Sequence, residues 1–193
     1  MNEAMEPSGL LKKAAVFIAA ILAFVLLDQF TKWYVFEHML RIAGTPIGFG
    51  DWWIHMQSRE DSMTSLANFK NVAVTPVFDF VAVWNPGISF GLLQDGSYTM
   101  SVLLTGFAFL MAIVVSVWGI RSPRRAEQIA TFLIAAGAIS NALDRIRFKA
   151  VADFLYFNYK GYYWPAFNIA DSCITIGAII LVFFVLFMDT DKE

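Results

Sequence analysis

Cysteine is almost missing from this chain, and histidine is nearly as rare. A single cysteine, Cys173, rules out an intramolecular disulfide. Two histidines, His38 and His55, with no HExxH or CxxC spacing, leave no zinc-type ligand pattern, so no metal or cofactor is expected. Both histidines read as loop or interface residues. Charge is scarce as well: 16% of the 193 residues are charged, where a soluble domain carries about 25%. The net charge of −2 is too small for an electrostatic hold on nucleic acid or on a membrane surface. Hydrocarbon takes the place of charge. The chain is 58% hydrophobic with a mean hydropathy of +0.59, which points to a membrane protein.

A helix that crosses a bilayer needs roughly 20 mostly apolar residues, and four stretches qualify, at about 14–36, 98–120, 127–147 and 167–188. The first follows Lys12 and Lys13 like a signal peptide, but it runs into LLDQFTK rather than a small-residue cleavage site and reads as a retained span. The expected fold is therefore an all-α membrane protein of four transmembrane helices, organised as one membrane-embedded domain over 1–193. Its termini lie on one side and two loops on the other. The long loop, 37–97, is polar through MQSREDSMTSLANFKN and then β-like in VFDFVAVW, so a small β-like segment is expected between the first and second helices. The shorter loop, 148–166, is rich in aromatics (Tyr156, Phe157, Tyr159, Tyr162, Tyr163, Trp164) of the kind that gather at the membrane–water interface. The acidic tail DTDKE reads as disordered. Basic residues at Lys12, Lys13, Arg121, Arg124 and Arg125 favour cytoplasmic termini, while Arg145, Arg147, Lys149 and Lys160 argue the other way, so loop charge leaves orientation open.

Ionisable residues in spans are rare and usually face a protein interior or a water-filled cavity. Asp28 and Lys32 stand at i and i+4 in DQFTK and share a helix face, where they either form a structural ion pair or support a site. Asn141, Asp144 and Arg145 share a face in NALDR. Asn168 and Asp171 open the fourth span in FNIAD, and Asp153 follows the third span in VADF. A carboxylate at a helix N-terminus gains about 0.3–1 kcal/mol from the helix dipole. A central aspartate costs about 2.5–3.5 kcal/mol to insert, less near the interface. Antiparallel threading brings all these groups to the same end of the bundle, beside the two long loops.

The blocks DQFTK, WNPGISFG, GAISNALDR, VADF and FNIADSCITIG, in that order from Asp28 to Gly177, resemble the lipoprotein signal peptidase family (signal peptidase II). The resemblance implies an aspartic endopeptidase of the bacterial cytoplasmic (inner) membrane. Such an enzyme removes the signal peptide from diacylglyceryl-modified prolipoproteins by cutting before the lipidated cysteine. It further implies Asp153 and Asp171 as the catalytic pair, and Asn141, Arg145, Asn168 and Asn85 as residues that hold substrate or order the site. Asp28, Lys32 and Asp144 are implied as supports. Cytoplasmic termini also follow from it, which puts the active site at the outer face; contact with membrane lipid and a monomeric chain are expected as well. Two departures stand out. Ser140 replaces the usual glycine of the GN pair, and residues 41–75 form a longer outer loop than usual, readable as a lid or partner surface.

The chemistry fits the residue types. Two carboxylates that share one proton can activate water and protonate a peptide carbonyl, because proximity keeps both from ionising together. An arginine fork and two asparagine amides can hold an extended peptide. A transporter or ion pathway using Asp28, Lys32, Asp144 and Asp171 is the rival reading, but its polar groups would be needed through the midplane. A helical scaffold is a third reading, and it leaves the Asn/Asp/Arg cluster unexplained.

Overall fold

The computed structural model describes residues 7–56, 58–87 and 98–187. The tail DTDKE and the ISFG half of WNPGISFG lie outside the described residues. Helix α1 spans Pro7–Tyr34 and runs on as a wider π-type turn, Val35–Leu40. Two short helices follow, α2 (Phe49–Ile54) and α3 (Arg59–Thr64), then a 3₁₀ turn at Ser65–Asn68. Strands β1 (Val72–Thr75) and β2 (Phe78–Asn85) precede α4 (Tyr98–Arg121) and α5 (Arg125–Phe148). Strands β3 (Val151–Tyr159) and β4 (Tyr162–Tyr163) then lead into α6 (Ile169–Phe187). Among the described residues, α1 with its π-type extension, α4 and α5 are long and apolar enough to cross a membrane. The shorter α6 is apolar throughout its later turns.

Burial shows how the helices are arranged. In its most apolar window α5 is 56% buried, against 11% for α1 and 17% for α4, so α5 is the central helix and the others pack around it. On α1 the buried residues Ile21, Val25, Asp28, Gln29 and Lys32 form a single stripe, while Leu22, Leu26, Leu27 and Phe30 point outward as hydrocarbon-facing surface. That inward stripe is apolar at first and turns polar at Asp28. Small residues set the distance between α5 and α6. A Cβ on Gly137 would lie 2.5 Å from the Ala170 carbonyl oxygen, and one on Gly177 would lie 2.6 Å from that of Ala130. Glycine allows this backbone approach where any side chain would wedge the helices apart.

Gly137→Ala is therefore expected to push α6 outward one helical turn below Asn141. An overpacking cost of about 1–3 kcal/mol should follow, read as a lower midpoint of thermal unfolding in detergent. An unchanged midpoint would mean the interface relaxes freely.

The loops hold more strand than the sequence suggests. The four strands form one antiparallel sheet in the order β1-β2-β3-β4. The aromatic segment 148–166, expected to be a loop, supplies two of them, so the fold is helical with a small sheet rather than all-α. The reason lies in VADFLYFNY, where β-branched and aromatic residues recur and find a partner of the same kind in FDFVAVWN. Pairing sets Val83 opposite Asp153 and Asn85 opposite Val151, which brings Asn85 and Asp153 to the same sheet face as diagonal neighbours. Lys149, in the left-handed conformation (φ 58°), closes the C-terminus of α5 through its N–H to the Arg145 carbonyl, and β3 begins two residues later. Beneath the sheet an aromatic core of Phe36, Trp52, Trp84, Phe148 and Phe154 joins α2 to the end of α5.

Residues 41–75 do not stand apart as a flap. Ser58 caps α3 in a capping box with Asp61. The Ser62 hydroxyl donates to the Phe148 carbonyl (2.8 Å), the Trp84 indole donates to Ser65 Oγ (3.3 Å), and the Trp33 indole donates to the Ile47 carbonyl (2.8 Å).

Candidate functional site

The first turn of α6 fixes Asp171. Asn168 is the residue before the helix; its Oδ1 accepts from the Asp171 N–H (2.9 Å), and Asp171 Oδ2 accepts from the Asn168 N–H (3.4 Å). This reciprocal arrangement has the form of a capping box, with Asn and Asp in the two roles. FNIAD is thus a local structural unit before it is anything else. It leaves Asp171 Oδ1 for the Asn141 amide, which donates at 2.7 Å from α5.

Asn168 also faces the sheet. Its Nδ2 donates to Asp153 Oδ1 (2.7 Å) and to Asn141 Oδ1 (3.2 Å). The other Asp153 oxygen accepts from Asn85 Nδ2 at 3.1 Å, and Asn85 Oδ1 in turn accepts from the Gly87 N–H (3.1 Å), which shapes the Asn-Pro-Gly turn. Asp153 and Asp171 are therefore held by one frame of three asparagine amides contributed by β2, α5 and the start of α6. Asp153 lies on a strand, not on the loop that the sequence suggests, and is 0% exposed. Burial, followed by the charge of Asp171, pushes its carboxyl well above the usual carboxylate range, while the Asn85 amide, Lys32 and the Asn168 amide pull it back.

Below this frame lies a second polar layer. Lys32 is fully buried, with its Nζ 2.8 Å from Asp28 Oδ2, 2.7 Å from Asp144 Oδ2 and 3.3 Å from Asn141 Oδ1. The expected Asp28–Lys32 pair is present, and Asp144 belongs to it. Asp144 Oδ2 also accepts the N–H of Ala152, beside Asp153 (3.2 Å), so this carboxylate holds β3 where the candidate acid sits. Gln29 and Ser140 complete the layer and were not expected from the sequence. Gln29 Nε2 donates to Asp144 Oδ1 (2.7 Å), and Ser140 Oγ donates to Asp28 Oδ2 (2.5 Å). Serine in place of glycine at position 140 thus adds a hydroxyl donor to a buried carboxylate. The visible clue to Gln29 was its place between Asp28 and Lys32 in a membrane helix.

Arg145 donates from Nη2 to the Gly87 carbonyl (2.7 Å), and its buried Nε has no hydrogen-bond partner among the described residues. Arg145, Asn141 and Asp171 reach a cavity of about 700 Å³ between α4, α5 and α6, walled by apolar residues such as Leu104, Phe107, Met111 and Ile134, with Trp164 and Phe167 also on its lining. All nine residues expected at the site fall within this one assembly. Asp153 and Asp171 are linked through Asn168, Asn141 and Arg145 lie at the cavity, and Asp28, Lys32 and Asp144 lie beneath. Asn85 contacts Asp153 rather than open space.

The sequence matches the family described as signal peptidase (SPase) II over residues 20–187. The lipoprotein signal peptidase of Acinetobacter baylyi is 31% identical over 170 residues, covering 87% of this chain and 80% of that protein. The lipoprotein signal peptidase of Nitrobacter hamburgensis is 40% identical over 116 residues, covering 58% of this chain and 71% of that protein. Two bacterial membrane enzymes solved by the in meso method have a similar fold. One has a TM-score of 0.64 at 24% identity and covers 93% of this chain and 92% of its own. The other has a TM-score of 0.60 at 26% identity, with 90% and 94% covered.

Proposed function

The chain belongs to the signal peptidase II family, and from that membership we infer that it is a membrane peptidase that removes signal peptides from bacterial prolipoproteins. The substrate carries a diacylglyceryl-modified cysteine, and the cut falls immediately before it. The spans are α1, α4, α5 and α6, with both termini cytoplasmic and the sheet at the outer face of the inner membrane. One copy suffices, because a single chain supplies every group of the site described here. The transporter alternative finds no support among the relatives.

The catalytic type is aspartic, with Asp153 and Asp171 as the pair. The observation that carries this reading is the shared amide frame, which ties the two carboxylates together through Asn168, with Asp171 on the wall of an apolar cavity. Charge balance supports it. Four carboxylates (Asp28, Asp144, Asp153, Asp171) are gathered with three cations (Lys32, Arg145, Arg147), so one added proton makes the cluster neutral. In a medium poor in water that proton is strongly favoured, and burial directs it to Asp153. Asp171, on the cavity wall, then draws a proton from water as the water oxygen attacks the scissile carbonyl carbon, while Asp153 gives its proton to the carbonyl oxygen. Collapse of the gem-diol returns one hydroxyl proton to Asp153 as the C–N bond breaks, and the proton taken by Asp171 passes to the leaving amine. Arg145 and Asn141, on the cavity lining, offer donors for the extended substrate backbone, and the apolar wall suits the acyl chains.

The test is incubation of the purified chain with a precursor peptide bearing a diacylglyceryl cysteine, beside the same peptide with a free cysteine. Cleavage of the first alone, before the modified residue, is expected; cleavage of neither refutes the assignment. The pH profile checks the aspartic reading. Asp153 keeps its proton in the folded protein at a pH where an ordinary Asp, near about 3.9, has lost it. The folded state binds more protons there, so activity persists as pH rises and fails on passing through the raised folded value. Asn85→Leu removes a donor that stabilises the anion, so the alkaline limb of kcat/KM should move to higher pH. A limb that stays in place would separate Asn85 from the reacting carboxyl.

A further inference from the structure

Arg147 is among the most heavily engaged side chains of the described residues, and beyond its charge no step of the reaction outlined above uses it. It stands in the last turn of α5, is 8% exposed, and each guanidinium nitrogen has a separate task. Nη1 donates to the carbonyls of Trp52 (2.9 Å) and Trp53 (3.1 Å), in the last turn of α2. Nη2 donates to Gln29 Oε1 and approaches Asp144 Oδ1 (3.4 Å). Nε turns back to the Leu143 carbonyl (3.4 Å), and the guanidinium carbon lies 4.5 Å from the centre of the Phe148 ring.

Two needs meet at this residue. The closing carbonyls of a helix have no partner within the helix, and burying them unpaired is costly. On the opposite side Gln29 and Asp144 must stay aligned, because Gln29 Nε2 and Asp144 Oδ1 bond to each other while Asp144 Oδ2 holds the Ala152 N–H. A planar fork bridges the two sides in one rigid geometry; the point charge of a lysine cannot face both.

We propose that Arg147 is a positioning residue that fastens the inserted segment, through the α2 carbonyls, to Gln29 and Asp144, and so holds strand β3 in place at Asp153. The path runs from Trp52 and Trp53 through Arg147 to Asp144, from Asp144 to the Ala152 N–H, and from there to the next residue, Asp153. The segment at 41–68 thus acts as a fixed brace behind the candidate acid, seated a second time by the Ser62 bond to Phe148. This assignment rests on the peptidase reading only for its kinetic consequence; its structural half stands apart.

The experiment compares wild type, Arg147→Met and Arg147→Lys in lipid nanodiscs by hydrogen exchange and by steady-state cleavage of the diacylglyceryl peptide. Arg147→Met is expected to raise exchange at residues 151–154 about tenfold or more, with the amides of α4 and α6 unaffected, because one hydrogen bond anchoring β3 loses its support. Its kcat should fall on the order of 10- to 100-fold, the scale of a misplacement of about 1 Å, with KM near wild type. Arg147→Lys should fall between the two. A folded Arg147→Met with wild-type exchange at 151–154, or with wild-type kcat, overturns the proposal. If that variant does not fold, wild-type exchange and kcat in Arg147→Lys overturn it instead. Raised local exchange in a preparation whose wild type does not cleave supports the brace and refutes the peptidase assignment.

Discussion

Asp171→Asn should fold like wild type and cleave the lipidated precursor about 10²–10⁴-fold more slowly, the usual contribution of a positioned acid or base. An asparagine there still offers an oxygen to the Asn141 amide, and the bond that is lost, from the Asn168 N–H, is the long one at 3.4 Å. Asp153→Asn should lose as much activity and, unlike its partner, stability too. Both Asp153 oxygens accept from amide NH₂ groups, of Asn168 on one side and Asn85 on the other. An asparagine presents an NH₂ of its own to one of them, leaving two buried donors face to face. Neither neighbour can simply turn over, because Asn85 Oδ1 is held by the Gly87 N–H and Asn168 Oδ1 by the Asp171 N–H. The mismatch should cost about 1–3 kcal/mol. Turnover assays and thermal unfolding of both variants distinguish the cases. Wild-type turnover in either variant removes that carboxylate from the reaction, and equal stability would mean the amide frame rearranges without penalty.

That asymmetry was not readable from the chain, although much of the assembly was. Long apolar runs located the helices to within a few residues, except that α1 begins earlier, at Pro7, and continues in a π-type turn. Antiparallel order alone placed DQFTK, NALDR and FNIAD at one end, where their side chains now prove to be in contact. Asn168 and Asp171 were legible as an i, i+3 pair because a cap is a local motif. The sheet was harder to see: β3 pairs with a strand about 70 residues earlier, and its aromatics fit an interfacial loop equally well. Gln29, Ser140 and Arg147 were missed for a related reason. Each is an ordinary polar residue whose meaning lies in partners more than 90 residues away, as with Arg147 and the Trp52 carbonyl. Local spacing has nothing to say about such contacts. The long outer segment reads as a lid or a partner surface because it looks like an addition; its ring contacts, Trp52 against Phe148 and Phe36, seat part of it in the core, which a free flap would not be.

Lys32→Met is expected to be the most destabilising single change. The ammonium sits between Asp28 and Asp144, all three side chains sealed from solvent, and no other cation touches Asp28 among the described residues. Removing it leaves a buried carboxylate uncompensated, a loss on the order of 3–5 kcal/mol. The midpoint of thermal unfolding should drop accordingly, and activity should fall with it, because Asn141 Oδ1 also loses the Lys32 donor and Asp144 is left pulling on β3 with one fewer restraint. The size of the loss comes from the orphaned charge rather than from the worth of the ion pair, and a second substitution separates the two. In Lys32→Met/Asp28→Asn the Ser140 hydroxyl still has an oxygen to bond, and Asp144 still has Arg147 and Gln29. The double variant should therefore recover much of the lost stability although it carries one more change than the single. If instead the two losses add, the buried lysine stabilises the bundle by its own contacts, and charge balance is not what holds this end of the protein together.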